Sequence, residues 1–535
     1  MHTSGIRFSS WALTALAIVL FTAGPASAQS LPFVDFSPQA AAQPQGQPQA
    51  QTPPAQGMTP EQAAALKQNV VTCASKVGER ISCPANTTAG VVLVRSTGAG
   101  ACLLGKTWGY DDKSIWVSDG CTGQFYAGQL PGAETKQESP EYVPNAGFRL
   151  YSGEKGEIYF RLMTYARYLN QKGLDPAYTD SFGNTHTVAQ REDVQLQKFF
   201  APFSGWFLTP KMRYYLYVWS SNASQGDPAQ VVGAGNISYV FNRHVTFGAG
   251  ITSLPSTRST EGQFPYWLGV DDRLIADEFF RGSYTTGFWF KGEATTTLKY
   301  NVMFGNNLST LGVSAAQMDN TFDTQAYSLQ WLPTTGEFGL WGTFGDYDDH
   351  QKMAIRVGGH FTRSTEDRQS QPGTEGIENS QIRLTDGSSI FTPDLFGPGI
   401  RVNRVLYKMT SIDAGIKYKG ISLEAEYYTR WLNNYEGTNV GGIAPITDTG
   451  YQVQSSAMLV KKYLQGYFSG SQIFGDYGDS SEIRAGANYY FRGVRGLRVN
   501  GEWINVKKSP VGYTAYPMPV GANGHVFHLN LEMNF

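Results

Sequence analysis

In several segments of this chain, charged residues alternate with apolar ones. Charges in this arrangement could attract or repel ions. In ISLEAEYY, at residues 421–428, Glu424 and Glu426 stand at every second position between apolar residues. Because alternate side chains of a β-strand point to opposite faces, the two carboxylates share one face. The same spacing elsewhere places on one face the charged residues Arg161, Arg167, Asp413, Lys417, Arg498 and Glu502. Charges that line the wall of a channel select among solutes by electrostatics. The alternative for each residue is a solvated position without a selective role.

A second group of charges lies in residues 253–283, SLPSTRSTEGQFPYWLGVDDRLIADEFFRGS. This segment is long, falls between two predicted strands and mixes both signs: Arg258, Asp271, Asp272, Arg273, Asp277, Glu278 and Arg281. Folded inward, it would narrow a lumen and set a transverse field and a size limit for solutes. The alternative is an outward loop at a contact between subunits.

The C-terminal segment HVFHLNLEMNF, at residues 525–535, indicates what surrounds these charges. Its odd-numbered positions from Phe527 to Phe535 are apolar, and the even-numbered ones from His528 to Asn534 are polar. Apolar outside and polar inside is typical of a membrane β-barrel strand, and a charge facing lipid costs about 2–4 kcal/mol at mid-membrane. The apolar neighbours therefore define the register of each wall charge. A terminal aromatic residue, here Phe535, is the usual assembly signal of bacterial outer-membrane barrels and predicts contact with the barrel assembly machinery.

From residue 142 to residue 535, alternating strands, short turns and longer loops repeat. This pattern predicts an all-β fold: a transmembrane antiparallel β-barrel of about 16 strands with an aqueous lumen. The predicted strands include residues 407–418 and 421–430. FGLWGTF, at residues 338–344, also has the composition of a strand, which leaves an 18-strand barrel open. If residues 338–344 were counted as a strand, the long loop at residues 364–406 would move to the periplasmic side. We therefore interpret residues 333–351 as an unusually long inner turn.

The N-terminal part of the chain predicts export. Arg7 precedes the apolar run WALTALAIVLFTA, and Ala26 and Ala28 occupy the small-residue positions of a cleavage site. Residues 1–28 are therefore interpreted as a signal peptide. Residues 29–69 are rich in Gln, Pro and Ala and predict a linker with a short helix after Thr59. We expect a cysteine-rich domain at residues 70–128 and the barrel at residues 142–535.

Four cysteines, Cys73, Cys83, Cys102 and Cys121, lie in the small domain. An even, clustered set in an exported chain predicts a disulfide-linked β domain with two bridges, in one of three pairings. A zinc site is the alternative, but the segment contains no CxxC pair and no histidine. The order Cys-x5-Trp-Gly-Tyr, Ile-Trp-Val, Gly-Cys resembles a small cysteine-rich domain family of unassigned function in bacterial exported proteins. Its Trp residues are candidates for the core, with a sugar-binding face as the alternative.

Composition excludes some classes of function. Lys and Arg number 42 against 44 Asp and Glu, so no general attraction to nucleic acid is expected. The mean hydropathy of −0.30 resembles that of a soluble protein, as expected where half of each membrane strand faces water. The seven histidines are not accompanied by a Ser-His-acid spacing or a nucleophile elbow. We therefore expect no enzyme, no metal and no cofactor.

The barrel region resembles the phosphate-selective porin O and P group of outer-membrane porins. ADEFFRGSYTTGFWFKGE at residues 276–293 and ISLEAEYYTRWL at residues 421–432 carry this resemblance. It implies a homotrimeric porin of 16 strands in contact with outer-membrane lipid and lipopolysaccharide. Phosphate-selective members depend on a ladder of Arg and a cluster of Lys in the lumen, whereas here acidic residues match the basic ones.

These observations predict a passive channel for small hydrophilic solutes, with anions such as phosphate as one solute class. Its expected place is the outer membrane of a Gram-negative bacterium, with the N-terminal domain in the periplasm. The alternative is an outer-membrane anchor that presents this domain to glycan or peptidoglycan.

Overall fold

The structure is a computed structural model that describes residues 70–88, 90–98, 100–127, 141–143, 145–221, 230–261, 266–310, 321–367, 382–512 and 517–535. The predicted signal peptide and linker lie outside these residues. The chain divides into two compact units, one within residues 1–136 and one within residues 137–535. Among the described residues, no helix is long and apolar enough to cross a membrane.

The N-terminal unit is a small β domain with two three-stranded sheets, ordered β1-β6-β3 and β2-β5-β4. Its strands are β1 (Val70–Ala74), β2 (Arg80–Pro84), β3 (Val91–Ser96), β4 (Trp108–Asp111), β5 (Ser114–Ser118) and β6 (Thr122–Ala127). Disulfides join Cys73 to Cys83 and Cys102 to Cys121. The prediction of two disulfides is confirmed, and the structure selects one of the three pairings.

Trp108 belongs to the core of this domain. It is 5% exposed, and its ring packs on Phe125 with centroids 4.9 Å apart. Trp116 is half-buried and lies under the guanidinium of Arg80, 3.8 Å from the ring centroid. In a domain with so little apolar surface, the two Trp rings supply much of the packing area.

The second unit holds the remaining strands. Three short strands precede the barrel, β7 (Glu141–Val143), β8 (Gly147–Gly153) and β9 (Gly156–Phe160), and a hairpin of β11 (Ala177–Thr179) and β12 (Thr185–Thr187) lies in the first long loop. The barrel strands are β10 (Met163–Leu174), β13 (Glu192–Phe207), β14 (Thr209–Ser221), β15 (Gln230–Asn242), β16 (Val245–Ser253), β17 (Tyr284–Glu293), β18 (Leu298–Gly305), β19 (Thr324–Trp331), β20 (Ala354–Asp367), β21 (Arg401–Tyr418), β22 (Ile421–Thr438), β23 (Ile446–Val460), β24 (Leu464–Phe474), β25 (Ser480–Tyr490), β26 (Leu497–Lys507) and β27 (Gly524–Asn534). One α-helix, α1 (Ile275–Phe280), follows β16.

The barrel is closed. Each barrel strand pairs antiparallel with the next, and β10 pairs with β27 from Met163 to Leu174, which gives 16 strands. Closure satisfies every edge of the sheet, as a strand structure inside a bilayer requires. The predicted all-β barrel of about 16 strands is confirmed.

Each strand has an apolar outer face and a polar inner face. On β22, Ile421 and Leu423 are 60% and 47% exposed on the outside, whereas Glu424 and Glu426 are 5% and 3% exposed on the inside. On β27, Phe527 and Leu529 point outward, and His528, Asn530 and Glu532 are buried inside. The alternation of apolar and polar residues in the sequence therefore corresponds to the outward and inward faces of the strands.

Short turns join the strands at one end of the barrel, the turn end, and longer loops join them at the other, the loop end. Lys419 and Gly420 form the tight turn between β21 and β22, with φ of 49° and 81°; two consecutive positive φ angles are typical of a type I′ hairpin. Between β19 and β20 the described chain has a short 3-10 turn, Leu340–Gly342, and no strand. Residues 333–351 are thus a long turn, as predicted, and the 18-strand alternative is wrong.

Candidate functional site

The segment between β16 and β17 lies inside the barrel. We call its described residues, 254–261 and 266–283, the inward loop. Leu254, Ile275 and Phe280 are completely buried, and the ring of Phe280 stacks on Tyr428 of the wall, with centroids 5.1 Å apart and planes 8° apart. The Tyr407 hydroxyl donates to the Phe280 carbonyl at 2.5 Å. Apolar packing at α1 therefore fixes the loop against β21 and β22.

Arginines of the wall satisfy the backbone carbonyls of the inward loop. Arg167 donates to the carbonyl of Val270 at 3.1 Å, and Arg484 donates to that of Arg273 at 2.7 Å. Arg498 reaches the carbonyls of Trp267, Leu268 and Gly269 at 3.1, 3.2 and 3.0 Å. A buried, irregular segment needs such partners, because unpaired backbone groups are costly away from water.

Acidic residues of the inward loop pair with basic residues of the wall. The distance from Asp271 to Lys198 is 2.7 Å, and that from Asp272 to Arg484 is also 2.7 Å. The side chains of both pairs are at most 5% exposed. These contacts hold the loop by charge as well as by packing.

Two clusters of the same composition, one Arg, one His, one Asp and one Glu each, join the inward loop to the wall. In the first, Arg356 lies 2.7 Å from Glu261 of the loop and 2.5 Å from Asp413 of the wall, and His360 lies 3.1 Å from Asp413. In the second, Arg484 lies 2.7 Å from Asp272, and His528 lies 2.7 Å from Glu502. The histidine and carboxylate ligand atoms of each cluster lie within 4.8 Å of one another. In each cluster an arginine lies against the carboxylates and supplies a positive charge.

The long turn, residues 333–351, also enters the lumen, where we call it the inner turn. Arg258 joins it to the inward loop and the wall: its guanidinium donates to Glu424 at 2.8 Å and to the carbonyls of Thr343, at 3.2 Å, and Gly342. Its backbone N–H donates to Glu426 at 3.0 Å. Lys417 donates to the carbonyls of Phe338, at 2.9 Å, and Thr343. Loop and turn are therefore joined through one buried network.

The base of the inner turn carries a histidine between two carboxylates. His350 Nδ1 bonds to Asp346, and its Nε2 lies 3.0 Å from Glu337. The hydrogen bond to Asp346 raises the pKa of His350 above its ordinary value. Burial would raise the pKa of Asp346, but hydrogen bonds from His350 and from the N–H of Gly420 outweigh it and lower that pKa.

The other predicted charges of the loop interact with one another around α1. Asp277 accepts hydrogen bonds from the hydroxyls of Thr257 at 3.0 Å and Ser259 at 2.9 Å. Arg281 binds Glu278 through two hydrogen bonds of 2.8 and 2.7 Å. The guanidinium of Arg273 lies over the Trp267 ring, 4.5 Å from its centroid.

Beside the inward loop, the lumen holds a polar cavity of about 510 Å³. It is lined by Asn145, Arg161, Ser204, Tyr215, Asn236, Thr252, Ser253, Glu261, Trp289, Lys291, Asn301, Gln330 and Gly342. Most of these residues belong to β13 through β19. We call this space the open cavity.

Three charges line the open cavity. Glu261 is compensated by Arg356 at 2.7 Å, and Arg161 donates to Asn534 at 2.6 Å. Lys291 is exposed and has neither a hydrogen bond nor an ion pair with any described residue. The cavity therefore carries an excess of positive charge that solutes can reach.

Of the charges predicted from the sequence, Arg161 lines the open cavity. Arg167, Asp413, Lys417, Arg498 and Glu502 face inward as predicted, but each is 1–3% exposed behind the inward loop or the inner turn. Lys291, Glu261, Arg356 and Arg484 were not among the residues predicted from the sequence. The inward register of β17, β20 and β25 could have found Lys291, Arg356 and Arg484. The selective role of all these residues stays a prediction.

Comparisons with known proteins found one family model and several solved structures that are similar to this chain. A family model described as "Protein of unknown function (DUF3011)" matches residues 58–143, a stretch that includes all four cysteines. Among solved structures, the outer membrane channel DcaP of Acinetobacter baumannii is similar, with 9% identity, a TM-score of 0.45, and coverage of 73% of this chain and 100% of that one. No curated protein matches the chain.

Two further solved structures are similar to this chain at comparable identity, coverage and TM-score. OmpT of Vibrio cholerae has 10% identity and a TM-score of 0.44, over 72% of this chain and 99% of that one. An anion-selective porin from Comamonas acidovorans has 7% identity and a TM-score of 0.43, over 71% of this chain and 100% of that one.

Proposed function

We propose that this protein is an outer-membrane porin that lets small hydrophilic solutes diffuse passively through the open cavity. The observation that carries the proposal is the division of the lumen: one part of the wall is covered by the inward loop, and the other lines a polar space of about 510 Å³. Water-facing Ser, Thr, Asn and Gln side chains there suit hydrated solutes, and none of them forms an arrangement for covalent catalysis.

The charges of the open cavity favour anions. Lys291 is unpaired among the described residues, whereas the carboxylate of Glu261 is 2.7 Å from Arg356. A narrow lumen with low-dielectric walls strengthens the field of such a charge. A dense ladder of arginines is not part of the lining that we describe, so we propose a general anion preference and leave phosphate as one member of that class.

The orientation follows the convention of outer-membrane barrels, in which short turns face the periplasm and longer loops face outside. We propose that the N-terminal domain and Phe535 lie on the periplasmic side, and that the barrel forms a homotrimer in contact with lipopolysaccharide. In this orientation the inward loop enters from outside and the inner turn enters from the periplasm.

Cysteine accessibility tests whether the open cavity conducts. Gln330→Cys places a thiol in the cavity lining, and Ser469→Cys places one on the inner wall where the native side chain is 3% exposed. In planar bilayers, a charged thiol reagent should lower the conductance of Gln330→Cys and leave Ser469→Cys unchanged. Equal block of both variants, or of neither, would contradict the proposed path.

The second candidate function is an anchor for the N-terminal domain. It is favoured by the extent to which the inward loop and the inner turn fill the lumen through buried ion pairs. A barrel with wild-type folding that shows no conductance in bilayers would support this anchor and overturn the porin.

A further inference from the structure

A second cavity lies at the loop end of the barrel, apart from the open cavity. It measures about 350 Å³, near the lower limit of the 300–1,000 Å³ that is usual for small-molecule sites. Three segments line it: the β11–β12 hairpin, residues 383–395 and residues 519–520. Its lining includes Tyr178, His186, Ser388, Ser389, Thr392 and Leu395.

The aromatic side of this cavity is firmly placed. The rings of Tyr178 and His186 stack with centroids 4.9 Å apart and planes 22° apart. Tyr178 also lies directly on Gly521, where an added Cβ would be 2.0 Å from the ring and where φ is +76°. Only glycine allows this approach at that backbone angle without strain. The hairpin is thereby held against residues 519–521, and His186 keeps 46% of its side chain exposed.

The charged groups of the cavity form hydrogen bonds within the protein. Asp180 accepts hydrogen bonds from His186 at 2.9 Å, from the Asn184 side chain at 3.1 Å, and from the N–H groups of Asn184 and Phe182 at 2.8 and 3.0 Å. Burial would raise the pKa of Asp180, but these hydrogen bonds outweigh it and lower that pKa. Arg383 donates to the carbonyl of Gly387 at 2.7 Å. One carboxylate and one guanidinium balance in charge.

Three hydroxyl groups of the cavity lining are available to a ligand. The hydroxyls of Ser388, Ser389 and Thr392 line the cavity and have no hydrogen-bond partner among the described residues. Each can donate one hydrogen bond and accept others. Leu395, Pro519 and Val520 add apolar surface to the same lining.

We propose that this cavity binds a neutral saccharide. A sugar ring presents hydroxyls at its edge and C–H groups on its faces, which match the three free hydroxyls and the apolar and aromatic surface. One carboxylate and one guanidinium line the cavity, so their formal charges cancel and give no net preference for an anion or a cation. The site is independent of the porin proposal, since an anchor barrel would carry it equally.

The test uses the purified full-length protein in detergent and the neutral disaccharides maltose, lactose and sucrose, with inorganic phosphate as the charged probe. Binding is measured by saturation-transfer NMR and titration calorimetry. The site variant is Ser388→Ala combined with Ser389→Ala, and the matched control is Ser481→Ala, an outward-facing hydroxyl on β25. Unchanged electrophoretic mobility of the unheated protein verifies folding.

We expect at least one disaccharide to bind with millimolar or better affinity, and the double variant to weaken binding about 10-fold through the loss of two hydrogen bonds. The control should bind as the wild type does. Absence of binding for all three sugars, equal binding by the double variant, or displacement of the sugar by phosphate would each overturn the proposal.

Discussion

The guanidinium of Arg484 on β25 lies 2.7 Å from the carboxylate of Asp272 in the inward loop, and the two side chains are 2% and 0% exposed. Arg484 also binds Glu482 at 2.7 Å and donates to the carbonyl of Arg273 at 2.7 Å. One wall residue thus holds both an acidic side chain and the backbone of the loop. Since a buried ion pair contributes little net stability, we infer that its main effect is to fix the position of the loop.

Replacing Arg484 by Met should release the inward loop. The change leaves Asp272 and Glu482 buried without their partner, a loss that typically costs about 3–5 kcal/mol. We expect a lower unfolding temperature and a larger, noisier single-channel conductance. Thermal unfolding and bilayer recordings measure the two effects. Arg401→Met, at an exposed position of β21, is the control; an Arg484→Met variant indistinguishable from it would contradict the proposed role.

The stability of the inner turn should depend on pH through His350. Its pKa is raised, so its contribution is complete below the ordinary value of about 6.5 and disappears as pH rises through the raised pKa. The pKa values of Asp346 and Glu337 are lowered, so their contribution is complete above about pH 4.3 and disappears in more acidic solution. The stabilisation of the inner turn by these three groups is therefore strongest between about pH 4.3 and about pH 6.5.

His350→Gln provides the comparison. The wild type should exceed this variant in unfolding temperature most clearly near pH 5 to 6, and the difference should shrink as the solution becomes alkaline. Unfolding temperatures from pH 5 to pH 9 measure it. A difference that stays constant over this range would show that His350 does not stabilise the turn through its charge.

Reduction of the disulfides should unfold the N-terminal domain and leave the barrel intact. The bridges close loops with sequence separations of 10 and 19 residues, and such cross-links typically contribute about 2–4 kcal/mol each. A domain with so small a core depends on them. Protease digestion with and without reductant measures the effect: we expect new cleavage within residues 70–127 only. Equal resistance after verified reduction would contradict this dependence.

The strand register could be read from the sequence because lipid imposes it. Residues 407–418 and 421–430 were predicted as strands and lie within β21 and β22, which extend to Arg401–Tyr418 and Ile421–Thr438. The extensions lie toward the loop end, where an apolar outer face is no longer required and the alternation fades. Residues 338–344 have the composition of a strand, but Phe338 and Phe344 are buried inside the lumen instead.

The open cavity could not be predicted in the same way. Glu424 and Lys291 have the same pattern, a charge between apolar neighbours on a strand. Which of the two meets solutes depends on where the inward loop lies, and that follows from contacts between residues far apart in sequence, such as Arg258 with Glu424. Periodicity reports the face of a strand; it does not report what covers that face.

We expect solutes to pass along the open cavity beside Lys291. The most direct measurement is the zero-current potential of Lys291→Glu under a KCl gradient, compared with the wild type and with Lys172→Glu, an exposed outward-facing position on β10. We expect anion preference in the wild type and in Lys172→Glu, and a shift to cation preference in Lys291→Glu. A zero-current potential that is the same in all three proteins would contradict the passage of solutes beside Lys291.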